Sequence, residues 1–199
     1  AAPCGRPVVL ADVQDNPGAG ASSDSTGLLA ALIEEEAQGA LLGLLADPEI
    51  AAEAHRLGEC ACFTGDLGGK SGLQGQVPLR ARFRVETLSD RAARYTGEMY
   101  GGGIAILGPS AVLRAEGAAD IRVVVTTFRS QCLDLGLFTH FGLEPAQHRI
   151  LAVKSTLHYR AAFDPIAART LSVAAPGGFP CHLPNIRYRN LRPGMRRLS

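Results

Sequence analysis

Apolar positions along the chain fall into short runs of two kinds, and the kind changes partway. Pro7 to Val13 is almost continuously apolar, rich in valine and bounded by turn residues, which predicts a buried strand. Thr26 to Gln38 instead repeats Leu28, Leu29, Leu32 and Ile33 at helical spacing, with Gly39 as the predicted stop. Ala40 to Ala46 is a second apolar strand. Asp47-Pro48 then supplies an N-cap followed by proline at the first helical position, for a helix to Leu57 closed by Gly58. Glu59 to Asp66 is predicted as a third strand. Strand, helix, strand, helix and strand in succession imply a parallel or mixed sheet with helical cover.

From Val77 the period becomes two. Leu79, Ala81, Phe83 and Val85 alternate with Arg80, Arg82, Arg84 and Glu86, as in a half-exposed antiparallel strand. Further short strands are expected at Arg94 to Met99, Gly103 to Leu107, Ala111 to Ala115 and Arg122 to Thr127, separated by glycine-rich turns. The chain then returns to helix near Leu135 to Phe141, strand at Ile150 to Lys154, a turn or helix from Tyr159 to Ala168, and a last strand at Thr170 to Ala174. A coil with Pro176, Gly177, Gly178, Pro180, Pro184 and Pro193 follows. The expected fold is α/β: a mixed sheet with helical cover at the start and end and an inserted antiparallel meander at about 77–127. One domain spans 1–188, with a basic tail at 189–199.

Chemistry is expected where the first strand ends. Asp15-Asn16-Pro17-Gly18-Ala19-Gly20 combines Asx side chains, a fixed φ and permissive glycines. Ser22, Ser23, Asp24 and Ser25 follow as candidate N-caps for the first helix. Backbone N–H groups and the helix dipole face such a loop. A second glycine-rich loop, Gly65 to Gly75, ends in Gly69-Lys70-Ser71 as a phosphate-binding loop does. Its first glycine is one position too close, and a strand rather than a helix follows. Lys70 is therefore expected on a turn, exposed or facing a substrate.

Composition narrows the classes. A chain of 199 residues with 46% hydrophobic content can bury a core, and its net charge of +1 gives no general basic face for nucleic acid. The basic residues Arg187, Arg189, Arg192, Arg196 and Arg197 gather only in the tail. No apolar run approaches a membrane span, and no signal peptide is expected. Cys4, Cys60, Cys62, Cys132 and Cys181 are scattered and odd in number, which suits free thiols in a reducing, cytoplasmic setting. Cys60 and Cys62 on one strand would share a face. His55, His140, His148, His158 and His182 form no HExxH or i, i+4 pair, so no metal site is expected here. His55 is expected at the surface of its helix, and no GxSxG nucleophile elbow is present.

Lys154, Ser155, His158 and Arg160 crowd the C-terminal end of a predicted strand, the binding edge of an α/β sheet. Two readings stand. Lys154 and His158 satisfy carbonyls or carboxylates such as Asp12 and Asp15, or Lys154, Ser155 and His158 join Asp15 and Asn16 in one substrate-facing patch.

Several stretches resemble the C-terminal domain of the microcystinase-C (MlrC) family of metallopeptidases. They are VVLADVQDNPGAG with DSTGLL, LGLLADPEIAAEAHRLG, LGGKSG, VVVTTFRSQCLD, ILAVKSTLHYRAAFDPIA and APGGFP. The resemblance covers about Arg6 to Tyr188, and the ending from Gly194 departs from it. It implies a zinc peptidase acting on linear peptides, with the zinc held by a carboxylate and histidine set on an N-terminal domain outside this chain. The piece alone is then expected to be inactive. Its implied partners are that N-terminal domain and the peptide, with self-association into a homodimer through a bare docking surface. Asp15, Asn16, Lys154, Ser155 and His158 are the candidate substrate-binding residues, with Gly18, Gly20, Gly69 and Lys70 shaping the loops. The competing reading is a stand-alone module holding a small anion or metabolite at the DNPGAG and GGKSG loops.

Overall fold

The computed structural model describes residues 5–73, 75–117, 119–176, 179, 181, 186 and 188–195. His182, Cys4, Arg187, Arg196, Arg197 and most of the expected Pro/Gly coil lie outside them.

Strand β1 is Val8–Asp12 and helix α1 is Gly27–Glu34. Strand β2 is Gln38–Ala46, helix α2 is Pro48–Leu57, and strand β3 is Cys62–Leu67. Then come β4 (Leu79–Ser89), β5 (Ala93–Arg94), β6 (Ile104–Ala105), β7 (Ser110–Ala115) and β8 (Asp120–Thr126). The chain closes with α3 (Gly136–Thr139), β9 (Ile150–Val153), α4 (Arg160–Phe163) and β10 (Arg169–Val173).

Eight strands form one sheet in the order β10-β1-β9-β2-β8-β7-β4-β3. The first five run parallel, and β8 turns to antiparallel pairing with β7, which continues through β4 to β3. The expected meander is thus an extension of the main sheet; only β5 and β6 stand apart as a small pair.

The unbroken apolar runs follow from burial on both faces. Leu42, Val123, Val125 and Ala152 pack under α1 and α2 with Leu29, Leu32, Ile50 and Ala54. Their neighbours Leu41, Val124, Leu151 and Val153 face the other way, against Phe138 of α3 and Phe163 of α4. A one-residue alternation across two cores leaves no polar position in the middle of these strands.

Local expectations change as well: of the strand expected at Arg94 to Met99 only Arg94 lies in β5, and 98–100 form a turn. Helix α1 ends at Glu34, short of Gln38, because Glu36 takes a left-handed φ of +48°. The amides of Glu36 and Ala37 bond back to Ile33 O and Leu32 O, a Schellman stop built on glutamate where glycine is usual. None of Ser22 to Ser25 caps α1; Thr26 holds the N-cap position without a side-chain cap. Cys60 lies before β3 in a turn with φ +69°, so it shares no strand face with Cys62. The α2 boundaries, by contrast, stand as expected, with Asp47 accepting from Ile50 N and Gly58 as C-cap.

Candidate functional site

The parallel strands β1, β9 and β2 deliver their C-terminal ends to one edge, and the polar residues singled out in the sequence collect there. Asp12, Asp15, Lys154 and Ser155 are all buried, at 0–1% exposure. Lys154, one residue beyond β9, directs its ammonium to Asp15 Oδ2 at 2.8 Å, Ser25 Oγ at 2.7 Å, Ser25 O at 2.8 Å and Asp12 Oδ2 at 3.5 Å. Asp15 is further held by the amides of Ser23 and Ser25, each at 2.7 Å. Both carboxylates therefore face a buried cation, but unequally. Burial pushes both upward. At Asp15 the charge of Lys154 and its hydrogen bonds prevail, and the carboxyl lies below the ordinary value. At Asp12 burial prevails over the more distant Lys154, with the Asp15 charge adding to it, and the carboxyl lies above the ordinary value.

The DNPG loop is a single tight turn. Asn16 Oδ1 accepts from Gly18 N at 2.9 Å and caps a one-turn 3-10 helix over Pro17–Ala19, which Gly20 ends in the left-handed region at φ +95°. Asn16 Nδ2 donates to Thr156 Oγ1 at 2.8 Å, tying this loop to the segment after β9. His158 is exposed at the rim. Of the five predicted residues, then, Asp15, Asn16, Lys154 and Ser155 form the buried support, and His158 presents to solvent.

Gln131 carried no signal by spacing, although it stands inside the stretch VVVTTFRSQCLD. It joins the cluster through Ser155 Oγ at 2.8 Å and His158 Nδ1 at 3.3 Å. Thr156 was likewise passed over.

The second loop has its own carboxylates. Asp24 Oδ2 accepts from the amides of Lys70 and Ser71 at 2.9 and 2.8 Å, and Asp24 O accepts from Gly69 N at 2.7 Å. Gly68 N donates to Asp47 Oδ2 at 2.7 Å. Lys70 Nζ meets Asp47 at 3.0 Å and Glu49 at 2.8 Å. The amides of Gly68, Lys70 and Ser71 are thus taken by the chain's own carboxylates, as are Ser23 N and Ser25 N by Asp15. Gly69 is held at φ +62°, and a Cβ there would come within 2.2 Å of the Val77 carbonyl carbon.

A cleft of about 320 Å³ runs between these loops, lined by Ser22, Asp24, Glu49, Lys70 and Arg129. A larger hollow of about 890 Å³ opens at the opposite edge, near Arg6, Gln38 and His148, and contains none of the predicted site residues.

The other described histidines have different neighbours. His55 is half-buried rather than on the surface, with Nε2 3.1 Å from Ser110 O. His140 Nε2 lies 2.8 Å from Ser89 Oγ. Burial draws the His148 ring below its ordinary value, with Arg122 adding to the effect. Among the described residues no group of three or more His, Cys, Asp or Glu side chains is placed to hold a metal ion. No helix among them is long and apolar enough to cross a membrane.

The family model described as MlrC C-terminus matches residues 10–190. Microcystinase C from Sphingomonas sp. is 30% identical over 169 residues, which cover 85% of this chain and 32% of that protein. A crystal structure from Mesorhizobium sp. BNC1, which carries a provisional metallopeptidase name, superposes with a TM-score of 0.81 at 25% identity. That match covers 98% of this chain and 39% of the other. The chain thus spans about a third of the length of the curated relative it matches.

Proposed function

The chain belongs to the family of MlrC C-terminal domains. From that premise we propose that it is the substrate-facing domain of a zinc metallopeptidase that hydrolyses linear peptides. The metal and the water it activates are carried by the part of the longer protein outside this chain. The observation that supports this most is the joining of the DNPG loop to the segment Lys154–His158 at one sheet edge, through Lys154 with Asp15 and Asn16 with Thr156. Buried ion pairing stiffens the support, while Thr156 and His158 remain exposed for contact with a peptide.

The residues at this edge do not fit a zinc ion. Zinc takes three or four convergent donors. Asp12 and Asp15 already share the Lys154 ammonium, and His158 engages Gln131. No catalytic step is therefore assigned to these side chains; they bind, orient and position.

In this reading the partners are the remainder of the longer chain and the peptide. Isolated, the 199-residue piece self-associates through apolar side chains left open, such as Ile106, Phe128 and Leu157. A cytoplasmic setting accords with Cys60, Cys62, Cys132 and Cys181 standing as free thiols.

The test is hydrolysis of linear peptides by the full-length protein, with chelation and zinc restoration. The expected result is cleavage that chelation abolishes and zinc restores, with Asn16→Ala raising KM. Metal-independent cleavage, or none at all, would sink the reading.

A further inference from the structure

His158 is exposed, yet its ring is engaged from one side. Its Nδ1 lies 3.3 Å from Gln131 Oε1, and the other end of the same amide donates from Nε2 to Ser155 Oγ at 2.8 Å. Ser155 is fully buried, so the Gln131 amide is anchored from inside the fold. Its oxygen also rests on Gly18, where a Cβ would approach Oε1 to 2.2 Å and Cδ to 2.6 Å. Gly18 is thus required for close approach. With Oε1 turned to the ring the carbonyl oxygen can only accept, so this arrangement calls for the proton on His158 Nδ1.

We propose that Gln131 is the positioning residue of this edge. It holds His158 in the Nδ1–H tautomer and turns Nε2 outward as an acceptor for a backbone N–H of a bound peptide. Without a partner at Nδ1, an imidazole in water favours the opposite, Nε2–H form. The chain of contacts runs from the DNPG loop through Gly18 and Gln131 to His158, so the loop and the ring are set together. Only the ligand's identity rests on the peptidase reading; the tautomer does not.

The experiment uses the full-length protein with ¹⁵N-labelled histidine rings, observed by nitrogen–proton correlation at a pH where the ring is neutral. His158→Asn identifies the signal. The expected spectrum shows a protonated Nδ1 and a bare Nε2. Gln131→Leu reverts the ring mainly to Nε2–H, and Gln131→Glu, which keeps an acceptor, retains Nδ1–H. Gly18→Ala leaves Gln131 present but occupies its seat, and gives the same reversion as Gln131→Leu. An Nε2–H ring in the wild type overturns the proposal, as does an Nδ1–H ring that survives both Gln131→Leu and Gly18→Ala. In peptide hydrolysis, Gln131→Leu raises KM roughly 5- to 10-fold, the worth of one hydrogen bond, with kcat changed less. An unchanged KM beside a reverted ring removes the peptide contact from the proposal. An intact Nδ1–H ring in a protein that cleaves no peptide counts against the peptidase reading alone.

Discussion

Two lysines near the same sheet edge each hold two carboxylates, in surroundings that differ. Around Lys154 the ammonium side chain is 2% exposed and both aspartates 0%. Around Lys70 the lysine is 30% exposed, Asp47 0% and Glu49 78%. Charges withdrawn from water have a large desolvation cost, offset only by close and complete pairing. Lys154 supplies that pairing for two strand-end carboxylates at once. Lys70 closes a loop whose carboxylates are already served by backbone amides, and water reaches its outer partner. The first cluster is a structural requirement of the edge; the second is a clasp.

The largest expected effect comes from removing the buried cation. Lys154→Met strands two buried carboxylates and costs about 3–5 kcal/mol, read as a lower urea midpoint at unchanged slope. Lys154→Met with Asp15→Asn recovers part of that loss. A single-variant cost under about 1 kcal/mol would place this cluster with surface pairs such as that of Lys70.

Acid titration sharpens the comparison through opposite signs within one cluster. Asp15 is depressed below the ordinary carboxylate value of 3.8, so its stabilisation is present above that value and lost as pH falls through its lower folded value. Asp12 is raised above 3.8, so its contribution is present below that value and lost as pH rises through its higher folded value. Stability measured against pH for each variant should therefore diverge. The deficit of Asp15→Asn shrinks as pH falls, and the deficit of Asp12→Asn shrinks as pH rises. Parallel curves for the two variants would show that Lys154 serves both carboxylates alike.

The smallest effect is at the clasp. Lys70→Ala leaves Asp47 bound to Ile50 N and Gly68 N, and costs at most about 1 kcal/mol. The cost should fall further in high salt, measured as thermal midpoints at two ionic strengths. A salt-independent loss comparable to that of Lys154→Met would erase the distinction.

How far these regions were legible depends on the range of the interactions that build them. The α2 cap at Asp47-Pro48 is local, and residue types alone placed it. The end of α1 was misplaced because Glu36 takes a conformation usually left to glycine, and Gly39 looked the better stop. The polar patch was legible because Lys154 follows an apolar strand at an α/β edge. Its internal arrangement was not: that Asp15 faces inward and His158 outward depends on partners up to 142 residues away in sequence, as Lys154 is from Asp12. Ser22 to Ser25 suited a helix cap by type, yet Ser23 Oγ donates to Leu44 O, Asp24 gathers the glycine loop, and Ser25 meets Lys154. Gln131 has no periodic signal, and the stretch VVVTTFRSQCLD that contains it does not single it out. Its role exists only once Ser155, His158 and Gly18 are brought beside it.

The place of β1 in the sheet also sets an order of events. Both of its neighbours, β9 and β10, come from the far end of the chain, with Val8 matched to Ile150 and Arg169. Among the described strands β1 is made first and yet is among the last to be paired, and closing so long a loop is slow. Asp12 and Asp15 gain their neutralising charge only when Lys154 arrives with β9. A nascent chain stopped before residue 150 would carry the DNPG loop and its local turn bonds, but neither Lys154 nor Thr156 to fasten it to the sheet edge.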